Sequence, residues 1–205
     1  CNEILSGRTR DSNVQILGKK LNSRGIKLTE ARTIPDIEKN IVETIRSCKG
    51  QFNYVFTTGG IGPTHDDITA RAIAKAVNRK VERNREAEKI IRSYYQKEDI
   101  TEARLSMADM PEGVSLIENP VSKAPGFKIE NIFVLPGVPT IFEAMFDKLR
   151  HHLIGGTPIL SKSITSFIPE GRLGDPLAKI QLDHPQTEIG SYPFFKNGKV
   201  GSNLV

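Results

Sequence analysis

Twice in this chain a short β-branched or aromatic run feeds a glycine-bearing turn and then a helix. Tyr54-Val55-Phe56-Thr57-Thr58 enters Gly59-Gly60 and a helical periodicity over 67–77; Ile132-Phe133-Val134-Leu135 enters Pro136-Gly137-Val138-Pro139 and a helix to about Leu149. A continuous apolar run marks a strand covered on both faces, and strands alternating with helices mark crossover units of a parallel sheet. The same alternation extends outward. Val14, Ile16, Leu17 and Leu21 recur at helical spacing before Asn22-Ser23-Arg24-Gly25, and residues 26–33 read as a strand. Pro35-Asp36 opens a helix carrying Ile37, Ile41 and Ile45 on one face, ending before Gly50. Helices are predicted at 85–97 and 101–108, and a strand at 114–117. The expected class is therefore α/β: three α/β/α layers around a mostly parallel sheet.

After Gly155-Gly156 the texture changes. Residues 159–168, 171–183 and 188–195 read as strand, helix and strand, and Val205 falls in the middle of a further strand-like pattern, whose partner segment is expected beyond it. The expected division is a first domain over 1–155 and a small βαβ-like α+β lobe over 156–205.

With 38% apolar residues and 17 glycines among 205, the chain can build a packed core, and no apolar run approaches the roughly 18 residues of a spanning helix. Cys1 and Cys48 make no metal-ligand spacing, so a reducing, cytoplasmic setting is expected. The chain opens on Cys rather than Met, inside a motif, and its native start is expected upstream. The charge of +5 is spread among acids, as in Glu82-Arg83-Asn84-Arg85-Glu86, which suits an anionic small molecule rather than nucleic acid.

The segment with most chemistry is Thr57-Thr58-Gly59-Gly60-Ile61-Gly62-Pro63-Thr64-His65-Asp66-Asp67-Ile68-Thr69. Glycines at a strand end let backbone approach a ligand, and a following helix start favours phosphate. The spacing is neither GxGxxG nor GxxxxGK[ST]. Asp66 and Asp67 stand where carboxylates hold a divalent cation or orient water, while Thr64-x-x-Asp67 is equally a capping pattern. Asp11 and Asn13 are read as site residues, although Asp11 also fits a helix cap, and Lys123 in the turn-rich 119–126 loop can meet a phosphate as a point charge. His65 and the His151-His152 pair receive no role.

TTGGIGPTHDDIT, with NEILSGRTRDSN at 2–13, NPVSKAPGF at 119–127, LPGVP at 135–139 and IGSYP at 189–193, resembles the molybdopterin-binding (MoaB/MogA-like) domain. The resemblance is greatest to the version at the front of the competence-damage-inducible protein CinA and in eukaryotic FAD synthases. It implies a ligand site built from loops at the carboxyl ends of the strands, with molybdopterin or a nucleotide as ligand. In CinA-type relatives it implies metal-dependent hydrolysis of nucleotide pyrophosphates such as ADP-ribose, and in the FAD synthase version hydrolysis of FAD. Asp67 matches the family's functional aspartate and Asp66 its neighbour. The family's first strand would precede Asn2, Cys1 stands where glycine is expected, and the CinA amidase domain has no counterpart here.

The expected catalytic residues are Asp67, Asp66 and Lys123. A divalent metal such as Mg²⁺ is expected on Asp66 and Asp67. Ligand contacts are expected from Gly59, Gly60, Gly62, Thr64, Asp11, Asn13, Ser122, Gly126, Pro136 and Gly137. A homo-oligomer is expected from the resemblance. Two alternatives stay open: a molybdopterin carrier without chemistry, and adenylyl transfer onto molybdopterin.

Overall fold

Ile132–Leu135 is buried at every position, and its alternation sets the layers of the first unit. Ile132 and Val134 pack with Ile41, Ile45, Ala72, Ile73 and Ile91, whereas Phe133 and Leu135 pack with Leu17, Leu21, Phe142, Phe146 and Leu149. Successive strand side chains point to opposite faces, so one strand serves two cores.

The computed structural model describes residues 1–158 and 160–205 and divides into two units, Cys1–Thr157 and Pro158–Val205. Helices of the first unit are Asn2–Leu5 (α1), Asn13–Asn22 (α2), Glu38–Lys49 (α3), Thr69–Ala76 (α4), Arg85–Tyr94 (α5), Glu102–Leu105 (α6) and Pro139–Leu149 (α7). Its strands are Val55–Thr58 (β1), Val81–Arg83 (β2), Asp109–Pro111 (β3), Ser115–Ile117 (β4), Gly126–Ile129 (β5) and Ile132–Leu135 (β6). Helices α3, α4 and α5 cover one face of the main sheet and α2 and α7 the other. The chain is thus α/β with helices on both faces.

The main sheet has the order β1-β6-β5-β4. β1 and β6 are parallel, in the register Val55 to Ile132 through Thr58 to Leu135. The other two ladders, β6 with β5 and β5 with β4, are antiparallel. The cause is local: β5 and β6 are joined by Glu130-Asn131 alone, with Glu130 at φ 52°, and a two-residue connection makes a hairpin rather than a crossover. Gly126 at the head of β5 reads from sequence as loop, which hides this strand. The β2/β3 pair is likewise a short antiparallel ladder that the sequence reading lacks.

The strand expected over 26–33 carries no ladder among the described residues. This stretch is held at its ends instead, by the Ile26 N–H on the Leu21 carbonyl and by the Cys1 amine on the Ile34 carbonyl.

In the second unit, Ile164–Ser166 (β7), Gly174–Asp183 (α8), Ser191–Lys196 (β8) and Lys199–Leu204 (β9) form a three-stranded sheet of order β7-β9-β8. β7, α8 and β8 follow the expected strand-helix-strand order, and β9 inserts antiparallel to both strands. The insertion is made by Asn197-Gly198, both at positive φ, the backbone a tight hairpin requires. Residue 159 of the predicted first strand lies outside the described residues.

Candidate functional site

The two glycine turns meet. The Gly59 N–H donates to the Leu135 carbonyl at 2.9 Å, and a Cβ on Gly137 would lie 3.3 Å from the Gly59 Cα. Gly59 at φ 92° and Gly60 at φ 70° occupy backbone space that disfavours any side chain. The carboxyl ends of β1 and β6 thus converge without side chains between them.

Residues 60–69 form a closed loop, because the Thr69 N–H returns to the Gly60 carbonyl at 2.9 Å. A Cβ on Gly60 would sit 2.1 Å from the buried Thr69 Oγ1. Inside the loop, the Thr64 N–H and hydroxyl both donate to Asp67 Oδ2, at 2.9 and 2.5 Å, while the Asp67 N–H donates back to the Thr64 carbonyl at 3.1 Å. Helix α4 starts two residues later with Ile68 as its cap, so Asp67 closes a turn and not the helix. Gly62 lies under this carboxylate, where a Cβ would stand 2.7 Å from Oδ2.

Asp66 is exposed, and its carboxyl is held below the usual carboxylate range by the Thr64 hydroxyl and by its own backbone N–H, with His65 adding a smaller pull. A hydroxyl has one proton, and its 2.5 Å contact is to Asp67 Oδ2. Asp66 therefore receives it only when the Thr64 hydroxyl turns.

Asn13 is 6% exposed and ties α2 to the second glycine turn, its Nδ2 donating to the Gly137 carbonyl at 2.8 Å. Asp11 Oδ1 accepts the Val14 N–H at 3.2 Å, as a residue ahead of a helix does. The 119–124 loop is organised by buried Asn119. Its Oδ1 accepts the Val121 and Ser122 N–H groups, and its Nδ2 donates to Ser122 Oγ and the Ala124 carbonyl.

A cavity of about 1300 Å³ joins these pieces. Asp11, Asn13, Gly59, Gly60, Gly62, Thr64, Asp66, Asp67, Ser122, Pro136 and Gly137 all line it. Two expected residues stand elsewhere. Lys123, exposed at φ 63°, borders a separate cleft of about 260 Å³ with Glu86, Ile90 and Glu118. Gly126 is buried in β5, where a Cβ would fall 2.3 Å from the Val134 carbonyl, so its smallness serves packing between neighbouring strands.

Two kinds of residue escape the sequence reading. Arg8 and Arg10 line the cavity from the stretch after α1, and two arginines in a polar loop beside a glycine site are a legible signal for anion binding. Thr69 and Asn119, both buried, shape the loops through hydrogen bonds that no periodicity announces. For a divalent cation the loop offers Asp66 and Asp67. Among the described residues no group of three or more His, Cys, Asp or Glu side chains converges. That donor set fits a Mg²⁺ ion carried partly by ligand phosphates, the usual mode of this ion.

Comparison with known proteins places residues 1–155 in the family described as "Probable molybdopterin binding domain", and residues 158–205 match the family model described as "FAD synthase, middle domain". A protein of Archaeoglobus fulgidus is 37% identical over 193 residues, covering 94% of this chain and 82% of its own. One of Aeropyrum pernix is 33% identical over 215 residues, covering 100% and 80%. Among solved structures, the protein CinA of Thermoplasma acidophilum, titled as of unknown function, superposes with a TM-score of 0.69 at 32% identity, covering 74% of this chain and 92% of that one. No helix among the described residues is long and apolar enough to cross a membrane.

Proposed function

Because the chain belongs to the molybdopterin-binding domain family, in its CinA-like type, we propose that the glycine-loop cavity binds a nucleotide-like pyrophosphate and hydrolyses its P–O–P bond with a divalent cation. The observation that carries this reading is the meeting, on one cavity, of two side-chain-free strand ends, two carboxylates and two arginines.

The division of labour follows from the chemistry of each group. Backbone N–H groups at Gly59, Gly60 and Gly62 approach phosphate oxygens without steric opposition. Arg8 and Arg10 present planar, permanently charged forks to the bridging diphosphate. Asp66 and the free oxygen of Asp67 hold the cation, which when bound neutralises charge on the phosphates. They also orient a water molecule, whose oxygen forms the new P–O bond as the bridging P–O bond breaks. ADP-ribose or FAD would each yield two phosphate monoesters, with release of two protons as both become dianions. Thr64, by fixing Asp67 Oδ2, positions the carboxylate.

One observation favours a second reading. Asp67 Oδ2 already accepts two hydrogen bonds from its own loop, as befits a rigid binding module that carries molybdopterin without chemistry. A panel of ADP-ribose, FAD, NADH and adenylylated molybdopterin, with and without Mg²⁺, separates the two. Metal-dependent release of AMP supports the hydrolase, and binding without turnover of any of the four supports the carrier.

A further inference from the structure

The glycine-loop cavity also has walls past β6, toward the β4 margin of the sheet. β4 is antiparallel to β5 and β5 to β6, so β4 runs in the direction of β6 and β1. Its carboxyl end therefore opens into the 119–124 loop at the same end of the sheet as the Gly59 and Gly137 turns. In the order β1-β6-β5-β4 that loop follows a strand two positions from β6, about 10 Å away at the usual strand spacing. Asn119, Ser122 and Ala124 line the cavity from this loop. Ile61 of the glycine loop and Met107, in the turn Ser106–Ala108 ahead of β3, line it as well.

These five side chains differ in chemistry from those at the glycine turns. None is charged, whereas Arg8, Arg10, Asp66 and Asp67 line the same cavity. Ile61, Met107 and Ala124 are partly buried against the core that α3, α4 and α5 share, so all three lie on one face of the sheet. Ser122 adds a single directed polar group. The amide of Asn119, 3% exposed, has a fixed orientation, because Oδ1 accepts the Val121 and Ser122 N–H groups and Nδ2 donates to the Ala124 carbonyl. Nδ2 is therefore also the donor to Ser122 Oγ at 2.7 Å, which leaves the serine's own proton for another acceptor. A flat nitrogen heterocycle meets both demands, with apolar faces for the three hydrophobic side chains and an acceptor on its edge for Ser122. Met107 has the adaptable, polarisable side chain that suits such a ring. A sugar would set hydroxyl groups against the apolar wall without partners, at a cost.

We propose that this part of the cavity seats the heterocycle of the ligand: Ile61, Met107 and Ala124 hold the faces of an aromatic nitrogen ring, and the Ser122 hydroxyl donates to an acceptor on its edge. Ser122 is then a residue of ring specificity and not a phosphate contact. Adenine, flavin and pterin rings share the required chemistry, and the probes below distinguish them. The inference rests on the reading that phosphate occupies the glycine turns, but not on whether its P–O–P bond is hydrolysed.

Calorimetric titration of the whole chain with AMP, FMN, neopterin monophosphate and ribose 5-phosphate tests the seat without requiring turnover. All four are phosphate monoesters, and only the last lacks a ring. At least one of the first three should bind on the order of 10-fold or more tightly than ribose 5-phosphate, and the preferred one identifies the ring. Ala124→Leu should fill the seat and abolish that preference, with ribose 5-phosphate affinity kept within about 2-fold. Ser122→Ala should weaken binding of the preferred ring about 5–10-fold, the worth of one hydrogen bond. Melting of each variant reports its fold. Equal affinity for all four probes overturns the seat, as does a preference that survives both substitutions. Loss of ribose 5-phosphate binding in a variant that melts like its parent also overturns it, by making the loop a phosphate site. A ring preference that stands while ADP-ribose and FAD remain intact with Mg²⁺ supports the seat and strikes the hydrolase reading alone, whereas failure to bind any of the four overturns both.

Discussion

Gly60→Ala should destabilise the first unit by about 1.5–3.5 kcal/mol, beyond what its backbone conformation alone explains. A side chain at φ 70° costs about 1–2 kcal/mol. The new Cβ would also lie 2.1 Å from Thr69 Oγ1 and 3.1 Å from Thr69 Cβ. Thr69 is buried and cannot swing outward freely. Relief therefore requires the 60–69 loop to open, losing the Thr69 N–H to Gly60 carbonyl bond at about 0.5–1.5 kcal/mol. Gly113 isolates the first contribution, since it sits at φ 80° with nothing within 4 Å of where a Cβ would stand. Gly113→Ala should cost only about 1–2 kcal/mol. At about 2–4 °C per kcal/mol for a chain of this size, Gly60→Ala should melt several degrees below Gly113→Ala. Thr69→Ala removes the nearest atom, so the double variant should be more stable than the sum of its single effects. Equal melting of the two alanine variants, or strict additivity with Thr69→Ala, would refute loop closure by Thr69.

Asp67→Asn keeps an acceptor for the Thr64 N–H, so stability should change by about 1 kcal/mol or less while turnover of ADP-ribose or FAD falls about 10²-fold or more. Urea unfolding beside steady-state kinetics checks both halves. Thr64→Ala removes the hydroxyl that lowers the Asp66 carboxyl, so the acid limb of the pH–rate profile should move to higher pH. An unmoved limb disconnects Asp66 from activity. Burial lowers the His152 pKa, with His151 and Lys128 adding repulsion, so the unfolded chain takes up this proton at higher pH than the folded one. Its contribution to stability is present above the unfolded value and fades as pH falls through it. His152→Gln should flatten the stability curve on the acid side of neutrality, as followed by denaturant midpoints at stepped pH.

What the sequence revealed of this architecture depended on the range of the forces involved. Residues 132–135 are legible because a four-residue apolar run has few uses besides a strand covered on both sides. The glycine turn at 59–62 is legible because its conformational demand is local. By contrast, that Arg8 and Arg10 share a cavity with Gly59, and that Asn13 holds a carbonyl 124 positions away, emerges only from the fold. Lys123 illustrates the opposite limit: the 119–126 loop supplies a cation, but the hydrogen bonds of Asn119 decide which cleft it borders. Strand β5 is hidden because Pro125-Gly126 carries turn chemistry, while the close approach of Val134 is what selects glycine there.

In the small second unit, β9 lies between two strands that both precede it in the chain. During synthesis β7, α8 and β8 can emerge and find no sheet to join, because each strand's partner is made after it. The lobe must therefore wait as an exposed, apolar-bearing segment, with Phe167, Ile168 and Phe195 open to other chains, until the Asn197-Gly198 turn brings β9 back. A stop after Lys196 would remove a central strand, leaving both neighbours unpaired, whereas deleting β7 alone would remove an edge and spare the β8–β9 hairpin. Sensitivity to truncation in this lobe should thus be steeply asymmetric, concentrated in its last six paired residues, Lys199–Leu204.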